Sequence, residues 1–335
     1  MGRIAMLWSK RWVRFAVIAL VVLVLVFAPW SLDVATNQAL ARIGVFAVAV
    51  LGLNVIMGYT GQVSLGQIFF VGLGAYVTAY GVQEGWNVVL VFVLAVLIPG
   101  VVGYIVALAA ARLGGLAIAM VTIALPIIGV PLAKRLSDWT GGSQGISARF
   151  TSAPDWFGSR LDDIWQYYIV LTITAAVFLL VRNLVRGKFG RAFAIVKENE
   201  AVASSMGISP YRTKVMAFTI AALIGGVSGF LYMVVVQYTS PETLSFGHSI
   251  SLLASMVIGG AGSIVGSLIG GAYYVLVPNV TNEIDATLTS LIQGVILLVA
   301  LFVLPGGLAS APRALRRLLR GRRGKASSPP RNSQR

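Results

Sequence analysis

The sequence predicts an all-α polytopic integral membrane protein with about ten (eight to ten) spanning helices, some of them short or broken. Three observations predict it. The 335 residues are 57% hydrophobic and only 11% charged, where a soluble domain carries about 25% charged residues. Apolar runs recur at or near the ~18–20 residues that a helix needs to cross a ~30 Å hydrocarbon core. They are continuous, whereas barrel strands would alternate apolar and polar residues over ~10 positions. Finally, the basic residues are clustered: Arg3, Lys10, Arg11 and Arg14, then Arg182 to Lys214, then Arg313 to Arg335. That is the pattern of three cytoplasmic segments, so the net charge of +15 is assigned to membrane orientation and not to nucleic acid.

Taken in order, a basic cytoplasmic segment, 1–12, precedes the apolar run Phe15–Ala28. No A-x-A-like cleavage site stands before "PWSLDVA", so the run reads as a retained anchor helix. The transmembrane domain is placed at 13–305, with a polar loop at 182–213, followed by a basic, partly disordered tail at 306–335. Spans are expected near 13–30, 38–57, 63–81, 88–111, 114–133, 164–181, 214–236, 249–261, 264–280 and 287–305. Ten passes put both termini and the polar loop on the cytoplasmic side. Between 249 and 280, "VIGGAGSIVGS" interrupts one apolar run, which is either two short helices or one broken helix. Pro126 and Pro131 are expected to kink the fifth span. Acidic residues were not used to build this map and agree with it. Asp33, Glu84, Asp138, Asp155, Asp162, Asp163, Glu242, Glu283 and Asp285 fall outside, and only Glu198 and Glu200 fall inside.

Several chemistries are disfavoured. No Asp or Glu lies in the middle of a predicted span, although proton- and sodium-coupled carriers usually need an intramembrane carboxylate or histidine. One histidine, no cysteine and no buried carboxylate pair leave almost no catalytic groups and no metal-ligand set. No G-x-x-x-x-G-K-[ST] phosphate loop is present, so no cofactor is expected on this chain.

Glycine clusters in "GYTGQVSLGQIFFVGLGAYVTAYG" and "IGGAGSIVGSLIGGAYYVL". Small residues let helices approach closely, and plain packing accounts for most of them. The sharper expectation is a translocation route lined by Asn54, Gln62, Ser64, Gly66, Gln67, Gly74, Gly259, Gly260, Gly262, Ser263 and Gln293. A loose repeat, Ser64/Gly66/Gly74–Tyr76 against Ser263/Gly266/Gly271–Tyr273, fits the internal symmetry of transporters.

The charged stretch "GKFGRAFAIVKENEAVASSMGISP" stands out from the apolar remainder. From Arg191 to Met206 it reads as one roughly four-turn amphipathic helix with Ala192, Ile195, Val196, Val202, Ala203 and Met206 on one stripe. Lys197 can reach Glu200 at i+3, Gly207 suits the C′ position, and Pro210 forbids continuation. A helix held between two spans in this way suits docking into a groove on a soluble partner.

With its flanks, this stretch resembles the coupling segment of permeases in ATP-binding-cassette importers. The closest resemblance is to the branched-chain amino acid permease family, in the version carried by the longer of its two permease subunits. "GYTGQVSLGQIFFVGLGAYVTA", "TGGSQGIS" and "MVIGGAGSIVGSLIGGAYY" are similar to further family segments in the same order, over roughly residues 40–305. The segment "LGGLAIAMVTIALPIIGVPLAKRL" departs from the family pattern, which bears on the substrate more than on the transporter class.

The resemblance implies a heteromeric importer in the bacterial cytoplasmic membrane. It would contain a homologous second permease, two ATPase subunits carrying ATP and Mg, and an extracytoplasmic binding protein. It implies coupling roles for Gly190, Arg191, Glu198, Glu200 and Gly207, with Lys197 added as a partner-facing cation. Thr140, Gly141, Gly142 and His248, on the outer side, are the expected contacts of the binding protein. Branched-chain or other apolar amino acids and urea or short amides stay open as substrates, and a self-contained channel or secondary carrier is the rival class.

Overall fold

The computed structural model describes residues 23–113, 115–153, 161–284, 294–295, 298–299 and 307–310. Helix α1 is seen over residues 23–31. Asp33 caps α2 (Val34–Leu53) through the Thr36 amide and a 2.6 Å bond from the Thr36 hydroxyl. The end of α2 widens into a π-helical turn, Asn54–Tyr59. The chain then unwinds to Gly66 before α3 (Gln67–Gln83). There follow α4 (Val88–Ala110), α5 (Gly115–Arg135) and the one-turn α6 (Ser137–Thr140). Next come β1 (Ile146–Ser147) and α7 (Asp162–Arg186). The charged stretch forms α8 (Lys188–Glu198) and α9 (Glu200–Ser205). The remainder holds α10 (Pro210–Val236), β2 (Tyr238–Thr239), α11 (Phe246–Gly259) and α12 (Ile264–Ile284).

Among the described residues, six helices are long and apolar enough to cross a membrane: 34–59, 88–110, 117–135, 162–186, 210–236 and 264–281. These match six of the expected spans. The expected spans at 63–81 and 249–261 are shorter helices: α3 has 17 residues and α11 has 14. At ~1.5 Å per residue neither reaches ~30 Å. The interrupted run at 249–280 resolves into two helices separated by Gly260–Ser263. Pro126 and Pro131 lie inside the single helix α5. The expected segment 1–12, the tail from 311 and most of the expected spans 13–30 and 287–305, with Gln293, lie outside the described residues.

Helix α10 is the hub, packed on α2, α3 and α4, while α2 also carries α7 and α12. Small residues make this possible. A Cβ on Gly226 of α10 would occupy the place of the Ala95 carbonyl of α4, so the two backbones touch, as helices in lipid do where side chains are absent. Buried polar groups fasten the hub. Ser228 donates to the Val45 carbonyl at 2.9 Å, and Gln67 donates to the Ala221 carbonyl at 2.9 Å. The helix ends sort onto two faces. One holds Asp33, Glu84, Asp138, Asp162, Asp163 and Glu242, tied together by contacts such as Asn37 to Asp163 and Lys134 to Glu242. The other holds α8 and α9, the π-helical turn, and the basic residues Arg182, Arg186, Lys188 and Arg212.

Candidate functional site

The stretch from Lys188 to Ser205 is two helices and not the single helix expected. The break is at Asn199, whose backbone is extended (φ −162, ψ 118). Its side-chain oxygen accepts from the amides of Ala201 and Val202 at 2.8 and 3.2 Å. Asparagine offers the backbone this alternative to an i−4 bond, which makes it a strong N-cap and a poor helix interior. The far end follows the expectation. Gly207 sits at φ +76, Ile208 N–H reaches the Ala203 carbonyl at 2.9 Å and Gly207 N–H the Ser204 carbonyl at 3.0 Å. Those are the two bonds of a Schellman cap. Pro210 then opens α10 behind the Ser209 cap.

The near end is a corner between α7 and α8. Gly190 is buried against the last turn of α7, and a Cβ there would fall on the Val185 carbonyl. Phe193, Val196 and Ala203 are buried inward. Val202 and Met206, expected on the same stripe, are 49% and 62% exposed. With Ala194, Ile195, Glu198 and Asn199 they line an open apolar groove of about 350 Å³ on the outer side of the α8–α9 angle. Phe193, which the stripe omitted although it stands three residues before Val196, is the anchor of α8 and is fully buried.

The charged residues pair differently from expectation. Lys197 does not reach Glu200; its Nζ donates to the Gly58 carbonyl in the π-helical turn at 2.8 Å. Glu200 instead takes Lys214 of α10 at 2.6 Å, and that lysine side chain is almost wholly buried. The break at Asn199 turns α9 away from α8, which separates the i+3 pair. A buried ammonium needs a partner, and Glu200 supplies it. Arg191 and Glu198 are exposed.

Behind Lys197 the contacts continue inward. Asn54 opens the π-helical turn and is fully buried. Its side chain accepts from Gly262 N–H at 2.6 Å and donates to the Ser263 carbonyl at 2.9 Å and the Ser267 hydroxyl at 3.0 Å. One side chain therefore holds the elbow between α11 and α12, where Gly260 and Gly262 have positive φ. The residues Lys197, Gly58, Asn54 and Gly262–Ser263 form a continuous line from α8 to that elbow. Such π-helical turns are frequent at functional positions.

Of the other residues expected along a route, Gln62, Ser64 and Gln67 are buried in or next to the unwound segment before α3. The neighbouring Leu65 amide donates to Thr122 of α5 at 3.1 Å. Gly66 packs against Leu125 and Thr122, Gly74 against Gly226, and Gly259 against Gly266, so each stands at a close approach between segments.

On the opposite face, Thr140 ends α6 and its hydroxyl donates to the Leu136 carbonyl at 2.8 Å. Gly141 and Gly142 follow at φ +70 and +61. This face also carries a two-stranded antiparallel ribbon, Ile146 opposite Thr239 and Ser147 opposite Tyr238. The pairing joins segments about 90 residues apart, which no local pattern reveals. His248 stands at the start of α11, its Nδ1 2.8 Å from the Tyr274 hydroxyl.

Comparisons with known proteins bear on this arrangement. The family described as "Branched-chain amino acid transport system / permease component" matches residues 35–301. The chain is 31% identical over 260 residues to the high-affinity branched-chain amino acid transport system permease protein LivM of Salmonella typhimurium, covering 70% of this chain and 59% of that protein. Against LivM of Escherichia coli it is 29% identical over 277 residues, 75% of this chain and 64% of that one. Against LivH of Escherichia coli it is 22% identical over 284 residues, 80% and 92%. The chain thus spans about three-fifths of the length of the two LivM proteins. No solved structure gave a significant match. The family match, residues 35–301, spans the π-helical turn, the α8–α9 angle and the broken α11–α12 pair, and on that basis the chain belongs to the branched-chain amino acid transport system permease family.

Proposed function

We propose that this chain is a membrane-spanning subunit of an ATP-driven importer for branched-chain or related apolar amino acids. In this reading it works in the bacterial cytoplasmic membrane beside a homologous second permease, two ATPase subunits that carry ATP and Mg, and an extracytoplasmic binding protein. Both termini and the α8–α9 angle face the cytoplasm. Urea and short amides are the competing cargo.

The observation that carries the reading is the α8–α9 angle itself. It presents an apolar groove, Ala194, Ile195, Val202 and Met206, on the basic face of a membrane protein, and it is wired inward through Lys197 and Asn54. A passive pore has no use for such an arm. The ATPase subunits seat on Val202 and Met206, with Arg191 and Glu198 at the rim setting register more than affinity. Closure of the ATPase pair then pushes α8, and the push passes through the π-helical turn to the α11–α12 elbow. Gln62, Ser64 and Gln67, with the glycines at 66, 74, 259, 260 and 262 and Ser263, border the moving segments that open the route, and Gln293 is kept as a proposed lining residue on sequence alone. The binding protein docks on the opposite face around Thr140, Gly141, Gly142 and His248.

The test is co-purification in detergent with residues 187–210 intact or replaced by a Gly/Ser linker. ATPase subunits recovered only with the intact chain support the reading. A folded, intact chain that recovers none refutes it.

A further inference from the structure

Arg42 is the one charged side chain more than two turns from either end of a described spanning helix: it stands eight residues after Val34 in α2. A guanidinium at that depth is costly against lipid and belongs in a polar cavity or beside a counter-charge. No carboxylate pairs with it among the described residues. It opens instead onto a cavity of about 260 Å³ between α2, α11 and α12, on the half of the bundle opposite α8 and α9.

The lining of this cavity is unusual for an apolar protein. Besides Arg42 it includes His248, Ser255, Tyr273 and Asn279, and no carboxylate among the described residues. The Tyr273 hydroxyl is buried without a hydrogen-bond partner among the described residues, a group that wants an acceptor. Tyr274 is held by His248 at 2.8 Å and stacked on Phe46 with ring centroids 4.0 Å apart, giving the cavity an aromatic wall. Fixed positive charge, a spare hydroxyl and an apolar wall suit a small solute with a carboxylate at one end and an alkyl chain at the other. The volume lies just under the ~300–1,000 Å³ of ordinary ligand pockets, a size for one amino acid.

We propose that this cavity is a transit site that takes the carboxylate of a permeating amino acid, Arg42 gripping both oxygens and Tyr273 donating to one of them. The inference rests on the importer reading above and deepens it. It selects zwitterionic amino acids over urea and neutral amides, which offer no charge to Arg42.

The experiment is binding of labelled leucine to the purified complex in lipid nanodiscs, without the binding protein. Unlabelled leucine, 4-methylpentanoate (the carboxylate without the amine) and leucinol (the amine without the carboxylate) serve as competitors. Leucine and 4-methylpentanoate are expected to compete, and leucinol is not. R42Q is expected to weaken binding about tenfold to a hundredfold, the range of a charged hydrogen-bonded pair. Y273F, which removes a single oxygen, is expected to weaken it severalfold.

Absence of leucine binding by the wild type, equal competition by leucinol, or R42Q and Y273F binding as the wild type does would each overturn the site. Failure of R42Q to co-purify with the second permease would also overturn it, since Arg42 would then serve an ion pair between subunits. Uptake by proteoliposomes of the wild-type complex separates the two levels. Leucine imported while the site fails leaves the importer reading standing, whereas urea imported in place of leucine removes both.

Discussion

Asn54→Ala is the substitution whose consequence follows most directly from the structure. The side chain is fully buried and makes three hydrogen bonds, two to the elbow between α11 and α12 and one to Ser267 in the first turn of α12. Alanine would leave the Gly262 amide without its partner where water is scarce, and the Ser263 carbonyl with only its Ser267 donors. Interhelical hydrogen bonds in membrane proteins average ~0.6 and reach ~1.7 kcal/mol, so three of them amount to ~2–5 kcal/mol. Ser267→Ala breaks one of the three and is expected to cost ~0.6–1.7 kcal/mol. Asn54→Asp keeps the acceptor for Gly262 but sets a carboxylate oxygen against the Ser263 carbonyl, and should be no milder than alanine. Unfolding by sodium dodecyl sulfate in mixed micelles ranks the three variants, and ATP-driven uptake is measured alongside. Asn54→Ala within ~1 kcal/mol of wild type, or equal to Ser267→Ala, would refute the argument that this side chain holds the elbow.

Four further expectations concern the α8–α9 arm and the opposite face. Gly190→Ala should abolish assembly with the ATPase subunits, because the added carbon falls on the Val185 carbonyl. Gly207→Ala meets no atom within 4 Å, so it should cost only the ~1–2 kcal/mol of a left-handed residue, while β-branched Gly207→Val should uncouple hydrolysis from uptake; co-purification and ATP consumed per leucine separate these variants. Lys197→Met keeps the aliphatic stem over Gly61 but loses the 2.8 Å bond to Gly58, and should leave ATPase recruitment intact while raising the ATP consumed per leucine. Glu242, beside β2, has its carboxyl held below the ordinary 4.5 by its own backbone amide first, then by Ser240 and Lys134. A depressed folded value means that its contribution is present above pH 4.5 and lost as the pH falls through the folded value. Protection of the amides at residues 237–245, after correction for the intrinsic pH dependence of exchange, should therefore fall in acid, and Glu242→Gln should flatten that response.

Much of the fold was legible because it rests on local chemistry. Six apolar runs became six spanning helices, the glycines at 260 and 262 broke the run they interrupt, and Gly207 and Pro210 ended one helix and began the next. What stayed hidden depends on groups distant in sequence. Asn199 was visible as an interruption of an apolar stripe, yet only its capping bonds to Ala201 and Val202 make it a corner. Lys197 and Glu200 look like a helical pair until the corner parts them and Gly58 and Lys214 take their places. The unwound start of α3, with Leu65 bonded to Thr122, and the ribbon between Ile146 and Thr239 are likewise tertiary. Arg42 was the clearest missed signal. It is a lone guanidinium within an expected span, and a search for intramembrane carboxylates alone passes over it.

The central claim is that α8 and α9 pass ATPase motion to a transport route in this chain. The measurement that tests it most directly is leucine uptake by proteoliposomes holding the chain with its second permease, ATPase subunits and binding protein. ATP is supplied on the ATPase side, and the α8–α9 angle is either intact or carries Lys197→Met together with Gly207→Val. The account predicts accumulation of leucine against its gradient with the intact chain, and ATP hydrolysis without accumulation in the double variant. Accumulation by the double variant at the wild-type rate, or leucine entry that needs no ATP, would contradict it.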